Sequence, residues 1–437
     1  MKPNSKLVVS VIGIKRIIFC TLFIMLISMP FVYKEIKILL ILLLLLFALF
    51  NLKAYLTVSI DKNLMTVFIF FILTNGLFVL LGMFNKNVGA WATLPINLIW
   101  PILYFIIILD ARFYIGYKEI ELIMKLSLII IAFYTFLYYS KILFGIQIQI
   151  SEKFIYHNFD PSDPKATANQ IAMPAATSLF FLVPFFMSIV LLSKENKISN
   201  YIYLFLGAVV SLATGRRALI LLILSTPIIV LILSVFLPFG KISTINRVLK
   251  KIVITLLLLL FVIIVLERNK IIDITFLRDK TVSYFIPSTS GLEKGAVVRN
   301  YQKNALIEKW KESPLLGFGF GGTAGNYIRN PKTPFAYELS YVAKLMNIGI
   351  VGLSIYLFFI VYIISKLTIY LKNNYVFYLA AITGFIIILI ANSSNPYLDS
   401  FEYMWMIYFQ ILFIFIGEKY DKIQIKQESF NDRSNYG

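Results

Sequence analysis

The chain has 437 residues, 59% of them hydrophobic and only 14% charged, with 41 Lys or Arg against 22 Asp or Glu. Soluble domains average about 45–50% apolar and about 25% charged residues. A mean hydropathy of +0.83 therefore marks a polytopic membrane protein and excludes a soluble enzyme or a nucleic-acid-binding domain. One cysteine, Cys20, excludes an intrachain disulfide, and one histidine, His157, excludes a poly-histidine metal site, so no cofactor or metal is expected.

A membrane-spanning helix needs about 20 mainly apolar residues. Twelve stretches fit: 17–33, 37–53, 64–83, 90–109, 121–143, 169–192, 200–214, 217–238, 252–266, 341–364, 375–391 and 402–417. Lys15-Arg16 precede an apolar run with no small-residue cleavage site, so the N-terminus reads as a retained span. Pro174, Pro184 and Pro227 fall inside spans and should bend them. Lys and Arg in the short loops cluster on one side, at Lys15-Arg16, Arg112, Lys194, Lys197, Arg247 and Lys250-Lys251. The positive-inside rule then puts both termini in the cytoplasm. This divides the chain into an N-terminal transmembrane region of nine helices (1–266), a large extracytoplasmic loop (267–340), C-terminal helices (341–417) and a cytoplasmic tail without structure (418–437).

The first five spans carry little chemistry; Lys125 is expected to snorkel to the inner headgroups. The outer loop over 145–168 is turn-rich, with Pro161 and Pro164, and offers His157, Asp160 and Asp163 as acceptor-side ligands or bases. Between two apolar runs stands Thr214-Gly215-Arg216-Arg217. Two guanidiniums at a membrane boundary are costly without an anionic partner. If Thr214 caps the next helix, both arginines join the free N–H groups of its first turn and form a phosphate cradle. Snorkelling to headgroups would explain one arginine better than two.

The long outer loop carries eleven Lys or Arg between Glu267 and Phe335, among them Arg299 and Lys303. Val298, Tyr301, Ala305 and Leu306 recur near helical spacing, and Ser313-Pro314 stops that segment. The turn Gly317-Phe318-Gly319-Phe320-Gly321-Gly322 lacks the Gly-Lys-Ser/Thr ending of nucleotide loops. It reads as a backbone device whose phenylalanines dip toward lipid. Glu338 follows, just ahead of an apolar helix containing Gly349-Ile350-Val351-Gly352-Leu353, and Asn392–Tyr397 forms a polar outer turn beyond that.

The order of these parts, Arg299, then Trp310, then Pro314-Leu315-Leu316-Gly317-Phe318-Gly319, then the Gly349–Leu353 helix, resembles the large loop of the O-antigen ligase/polymerase family. The close match covers roughly a seventh of the chain, with weaker echoes at Thr214–Ala218, Thr167–Ala172 and Asn395-Pro396. The resemblance implies an integral-membrane, metal-independent, inverting glycosyltransferase of the bacterial cytoplasmic membrane, active at its outer face. Its substrates would be undecaprenyl-diphosphate-linked oligosaccharide donor and acceptor, as in lipopolysaccharide and related polysaccharide biosynthesis, and its neighbours membrane lipid, a chain-length regulator and a flippase; no nucleic acid is involved.

The chemistry suits the residues. Diphosphate is already a good leaving group, so the protein need only hold it, and arginines do so bidentately. The assigned grip is Arg216, Arg217 and Arg299, with Glu338 as the base for the acceptor hydroxyl and Lys303 on the acceptor side. Family ligases usually carry a histidine where Glu338 aligns, and that departure favours a polymerase over a ligase. A lipid-linked oligosaccharide flippase is the reading of another class, although transporters tend to show two similar halves and short loops on both faces, unlike this chain.

Overall fold

The computed structural model describes residues 5–50, 61–146, 150–151, 153–157, 171–214, 216–237, 242–268, 294–325, 327–328 and 330–434. Its helices are α1 (Ser5–Ser28), α2 (Lys34–Phe50), α3 (Lys62–Phe84), α4 (Ala90–Ala111, with a π turn over Pro95–Ile99) and α5 (Tyr117–Phe144). Then come α6 (Leu179–Leu192), α7 (Ile198–Ala213), α8 (Arg217–Phe236), α9 (Ile242–Arg268), α10 (Lys294–Lys311), α11 (Ser340–Ile369), α12 (Tyr375–Asn392) and α13 (Trp405–Ser434). A two-residue antiparallel ladder, β1 (Tyr156–His157) with β2 (Ile171–Ala172), precedes α6.

Among the described residues, eight helices are long and apolar enough to cross a membrane, and the apolar helices α6 and α7 are shorter. In lipid every backbone polar group must be satisfied within the protein, which is why such a chain becomes helices. It is an all-α, multi-pass membrane protein.

A short helix suffices for α6 because it never meets lipid. Every one of its residues except Ile189 is buried, as expected of a helix that is apolar on all sides. Helix α12 lies along it, and a Cβ on Gly384 would sit only 3.0 Å from the Phe181 ring, so the two backbones approach closely. The expected span from 169 is not one helix. Pro174 opens a 3-10 turn (Pro174–Thr177), and α6 begins after it. Proline lacks the N–H that a continuous helix would need there.

The expected amphipathic stretch is helix α10, which begins at Lys294, more than a turn before Arg299, and ends at Lys311, just ahead of Ser313-Pro314. The glycine turn behind it does not face lipid. Phe320 is buried against Phe78, Val79 and Ile348, and Phe318 lies under the Lys309 ammonium at 4.2 Å. The turn is seated on the α3–α4 corner: Phe320 N–H donates to Phe78 O at 3.0 Å, Gly89 N–H to Gly321 O at 3.0 Å, and the Asn87 amide to the carbonyls of Phe318, Gly319 and Phe320. Gly319 has φ of +81°, and a Cβ there would overlap the backbone of Gly82. Gly349 breaks α11 at φ of +62°, and the N–H groups this frees on Ile350 and Val351 donate to Pro314 O and Leu315 O at 3.0 and 3.1 Å.

Two smaller expectations are revised. Lys125 is paired with Glu121 at 2.6 Å one turn earlier, in place of a lone snorkelling charge. The tail expected to lack structure continues as helix α13 to Ser434. Its Glu, Lys and Gln are all good helix formers, so the helix runs on past the apolar segment.

Candidate functional site

Four segments meet where α8 begins. Thr214 finishes α7 instead of capping α8: its hydroxyl donates to Ser211 O at 2.8 Å. The N-cap of α8 is Arg216 itself, with extended backbone and no side-chain cap, so the first turn keeps its free N–H groups. Arg216 turns back toward the Pro174 corner. Its Nη1 donates to Thr177 Oγ1 at 3.2 Å and its Nη2 to Met173 O at 3.5 Å. That corner is braced from the other side by the Tyr403 hydroxyl, which donates to Pro174 O at 2.8 Å.

The second arginine arrives on α10. Arg299 Nε donates to Glu338 Oε2 at 3.0 Å, with the arginine side chain 44% exposed and the glutamate 15%. Glu338 lies just before Leu339, the N-cap of α11.

Tyr397 lies in the turn between α12 and α13. Its ring packs on Phe180 at 5.4 Å between centroids. Burial pushes this phenol up; the guanidiniums of Arg216 and Arg299 pull it down, and Glu338 pushes it up. Both guanidiniums and the carboxylate therefore act on the charge of this one phenol. Such an arrangement of two guanidiniums, a helix N-terminus, a phenol and a carboxylate offers donors to an anion and a carboxylate able to take a proton.

The structure pairs Arg299 directly with Glu338, and Arg216 is related to them through their shared influence on Tyr397. Arg217 is the first residue of α8, and its side chain lies outside the described residues, as do Asp160 and Asp163. His157 pairs through its backbone with Ile171 in the small ladder; its side chain too is outside the described set. Lys303 is exposed on α10.

Several neighbours were not legible. Tyr397 ends the polar turn that the sequence shows over Asn392–Tyr397, but nothing in the spacing singles it out. Behind it a polar lattice ties that turn to α11: Lys344 Nζ to Asp399 Oδ1 at 2.5 Å, Ser340 Oγ to Asp399 Oδ2 at 3.0 Å, and Asn392 Nδ2 to Ser340 Oγ at 3.2 Å. Beneath it, a cavity of about 40 Å³ is lined by Asn75, Asn97, Lys344, Tyr356 and Asp399 among larger apolar side chains. A water needs roughly 10–15 Å³ by this measure, so the cavity fits a few waters and not a sugar.

No family model matches the chain, and no curated protein matches it in sequence.

Proposed function

We propose that this protein is a polysaccharide polymerase. It joins undecaprenyl-diphosphate-linked repeat units at the outer face of a bacterial cytoplasmic membrane, through twelve spans with both termini inside. The observation that supports this reading most is the pairing of Arg299 with Glu338 at 3.0 Å, with Arg216 and both of these charges acting on the nearby Tyr397 phenol. Those residues come from four separate segments in a chain that is otherwise mostly apolar. The motif order that resembles the O-antigen ligase/polymerase family supports it independently.

In this reading the donor diphosphate lies against Arg216, Arg299 and the N-terminus of α8, with the Tyr397 hydroxyl between them. Glu338 takes the proton of the acceptor hydroxyl as its oxygen attacks the anomeric carbon. The bond from that carbon to the diphosphate oxygen breaks on the opposite face, and its electron pair leaves with the diphosphate. Configuration inverts, and the arginines stabilise the charge that grows on the leaving group. The charge is met by side chains, so the step needs no added metal.

The test is purified protein in lipid, given a lipid-linked repeat unit without nucleotide sugar and in the presence of a chelator. A ladder of products differing by one repeat is the expected result; transfer without laddering, or no transfer by protein that binds the donor, overturns the reading.

A further inference from the structure

A base at a membrane boundary must be held at a fixed depth and angle. The ion pair to Arg299 is poorly suited to that alone, because the arginine is 44% exposed and exposed pairs hold weakly. The structure contains a better device one helical turn along. Gln302 is 1% exposed. Its Oε1 accepts the backbone N–H of Glu338 and of Leu339, each at 3.2 Å. Leu339 is the N-cap of α11 and makes no side-chain cap of its own. These two amides precede the helix and are part-buried, and Gln302 supplies both with one acceptor.

Spacing explains how one helix does this. Residues three apart lie on the same face, so Arg299 and Gln302 both look at residues 338 and 339. Leu306, on the same face and fully buried, continues into the cluster with Tyr337 and Met346. One face of α10 therefore grips this dipeptide at its carboxylate, at its two amides and through its apolar neighbour.

The residue type matters. A glutamine carbonyl accepts two N–H groups without adding charge beside Glu338. A glutamate at 302 would keep both bonds but place a second carboxylate nearby; a leucine would keep the bulk and lose both bonds.

We infer that Gln302 is the positioning residue for Glu338, setting where its carboxylate meets the acceptor hydroxyl; this rests on the reading of Glu338 as the base. Gln302 touches no substrate and acts only through the backbone of 338 and 339.

The experiment uses full-length purified Gln302→Leu, Gln302→Glu, Glu338→Gln and the double variant Gln302→Leu/Glu338→Gln. Donor binding and single-turnover rate are measured with a lipid-linked repeat unit across pH. Gln302→Leu should slow the turnover about 10- to 100-fold, the scale of a small misplacement, with donor binding changed less than twofold. Gln302→Glu should recover most of the rate, with the acid limb of its pH profile moved to higher pH by the added carboxylate. In the Glu338→Gln background, Gln302→Leu should cost nothing further, because the group it positions is already gone.

Equal losses from Gln302→Leu in both backgrounds, or a Gln302→Leu enzyme at the wild-type rate, overturn the inference. If Gln302→Leu does not fold, Gln302→Glu decides alone, and a pH profile that superimposes on wild type overturns it. A Glu338→Gln enzyme of normal rate removes the base reading and this inference with it. That outcome appears in an arm where Gln302 is untouched, so the two failures are told apart.

Discussion

Arg299 and Glu338 are separated by 39 positions in the chain and 3.0 Å in space. That pair joins α10 to the start of α11. Both charges, together with Arg216, act on the Tyr397 phenol. Four separate segments thus contribute to the candidate site, and each residue can be removed singly.

Arg216 and Arg299 should not tolerate lysine. An ammonium has no planar fork, so it cannot serve Thr177 and Met173 O together as the Arg216 guanidinium does. Arg216→Lys and Arg299→Lys should each lower turnover by about 10²-fold or more while the protein still folds. Polymer formation on purified protein checks this, and wild-type rates in both variants would sink the diphosphate grip.

Glu338→Gln separates catalysis from helix capping. As a base, the carboxylate's loss should slow the reaction on the order of 10²–10⁴-fold with donor binding intact. A helix-end role would cost no more than about 1 kcal/mol of stability and leave the rate alone. Donor binding, thermal midpoint and turnover measured on the same preparation distinguish the two.

Tyr397→Phe removes a hydroxyl on which two guanidiniums and a carboxylate act. The expected loss is about tenfold to a hundredfold in turnover, the scale of about 1.5–3 kcal/mol for a hydrogen bond to a charged group. The phenol is raised above its ordinary value, first by burial, so the folded protein holds this proton more tightly than the unfolded chain does. Its contribution is therefore complete below the ordinary phenol value near pH 10 and lost as pH rises through the folded value. The stability difference between wild type and Tyr397→Phe should stay flat from about pH 6 to pH 9 and shrink only above about pH 10.

Two glycines with positive φ should behave differently. At Gly319 a Cβ would overlap the backbone of Gly82, whereas at Gly145, φ of +66°, a Cβ meets nothing within 4 Å. Gly145→Ala should cost only the left-handed backbone penalty of about 1–2 kcal/mol. Gly319→Ala should lift the turn off the α3–α4 corner, lower the thermal midpoint well beyond that and abolish polymer formation. Equal thermal shifts for the two variants would contradict this packing.

The twelve-pass orientation is tested by single cysteines in a Cys20→Ser background. Impermeant reagent added outside should label a cysteine at Ser288 and not one at Lys197 or Asn373. Labelling at either of the latter two would invert or rearrange the topology.

Much of the helical layout was legible because lipid permits few alternatives: apolar runs near the bilayer thickness become helices. Arg216 and Arg299 stood out in the sequence as charges where charge is expensive, and Glu338 by its place ahead of the Gly349–Leu353 helix in the family resemblance; the structure pairs Arg299 with Glu338. Tyr397 and Gln302 were not legible. The chain has 26 tyrosines, so one more carries no signal, and an amide in a polar loop is unremarked until its two N–H partners are seen. Thr214 was assigned to the following helix, yet its hydroxyl closes the preceding one. Phe320 was assigned to lipid because hydropathy does not distinguish lipid from a protein-lined seat. The Pro174 corner was read as a bent helix, since a proline alone does not say whether a helix bends or starts afresh.

The seat of the glycine turn also bears on biogenesis. Asn87 grips the carbonyls of residues 231 to 233 positions later in the chain. During synthesis the α3–α4 corner is thus made well before the backbone it holds. Contacts of such long sequence separation are slow to form, because the loop they close is large. A chain interrupted before the turn carries Arg216 and Arg299 without Glu338. The proposed site is therefore completed only in the last stage of assembly, when the segment carrying the turn closes onto helices made long before it.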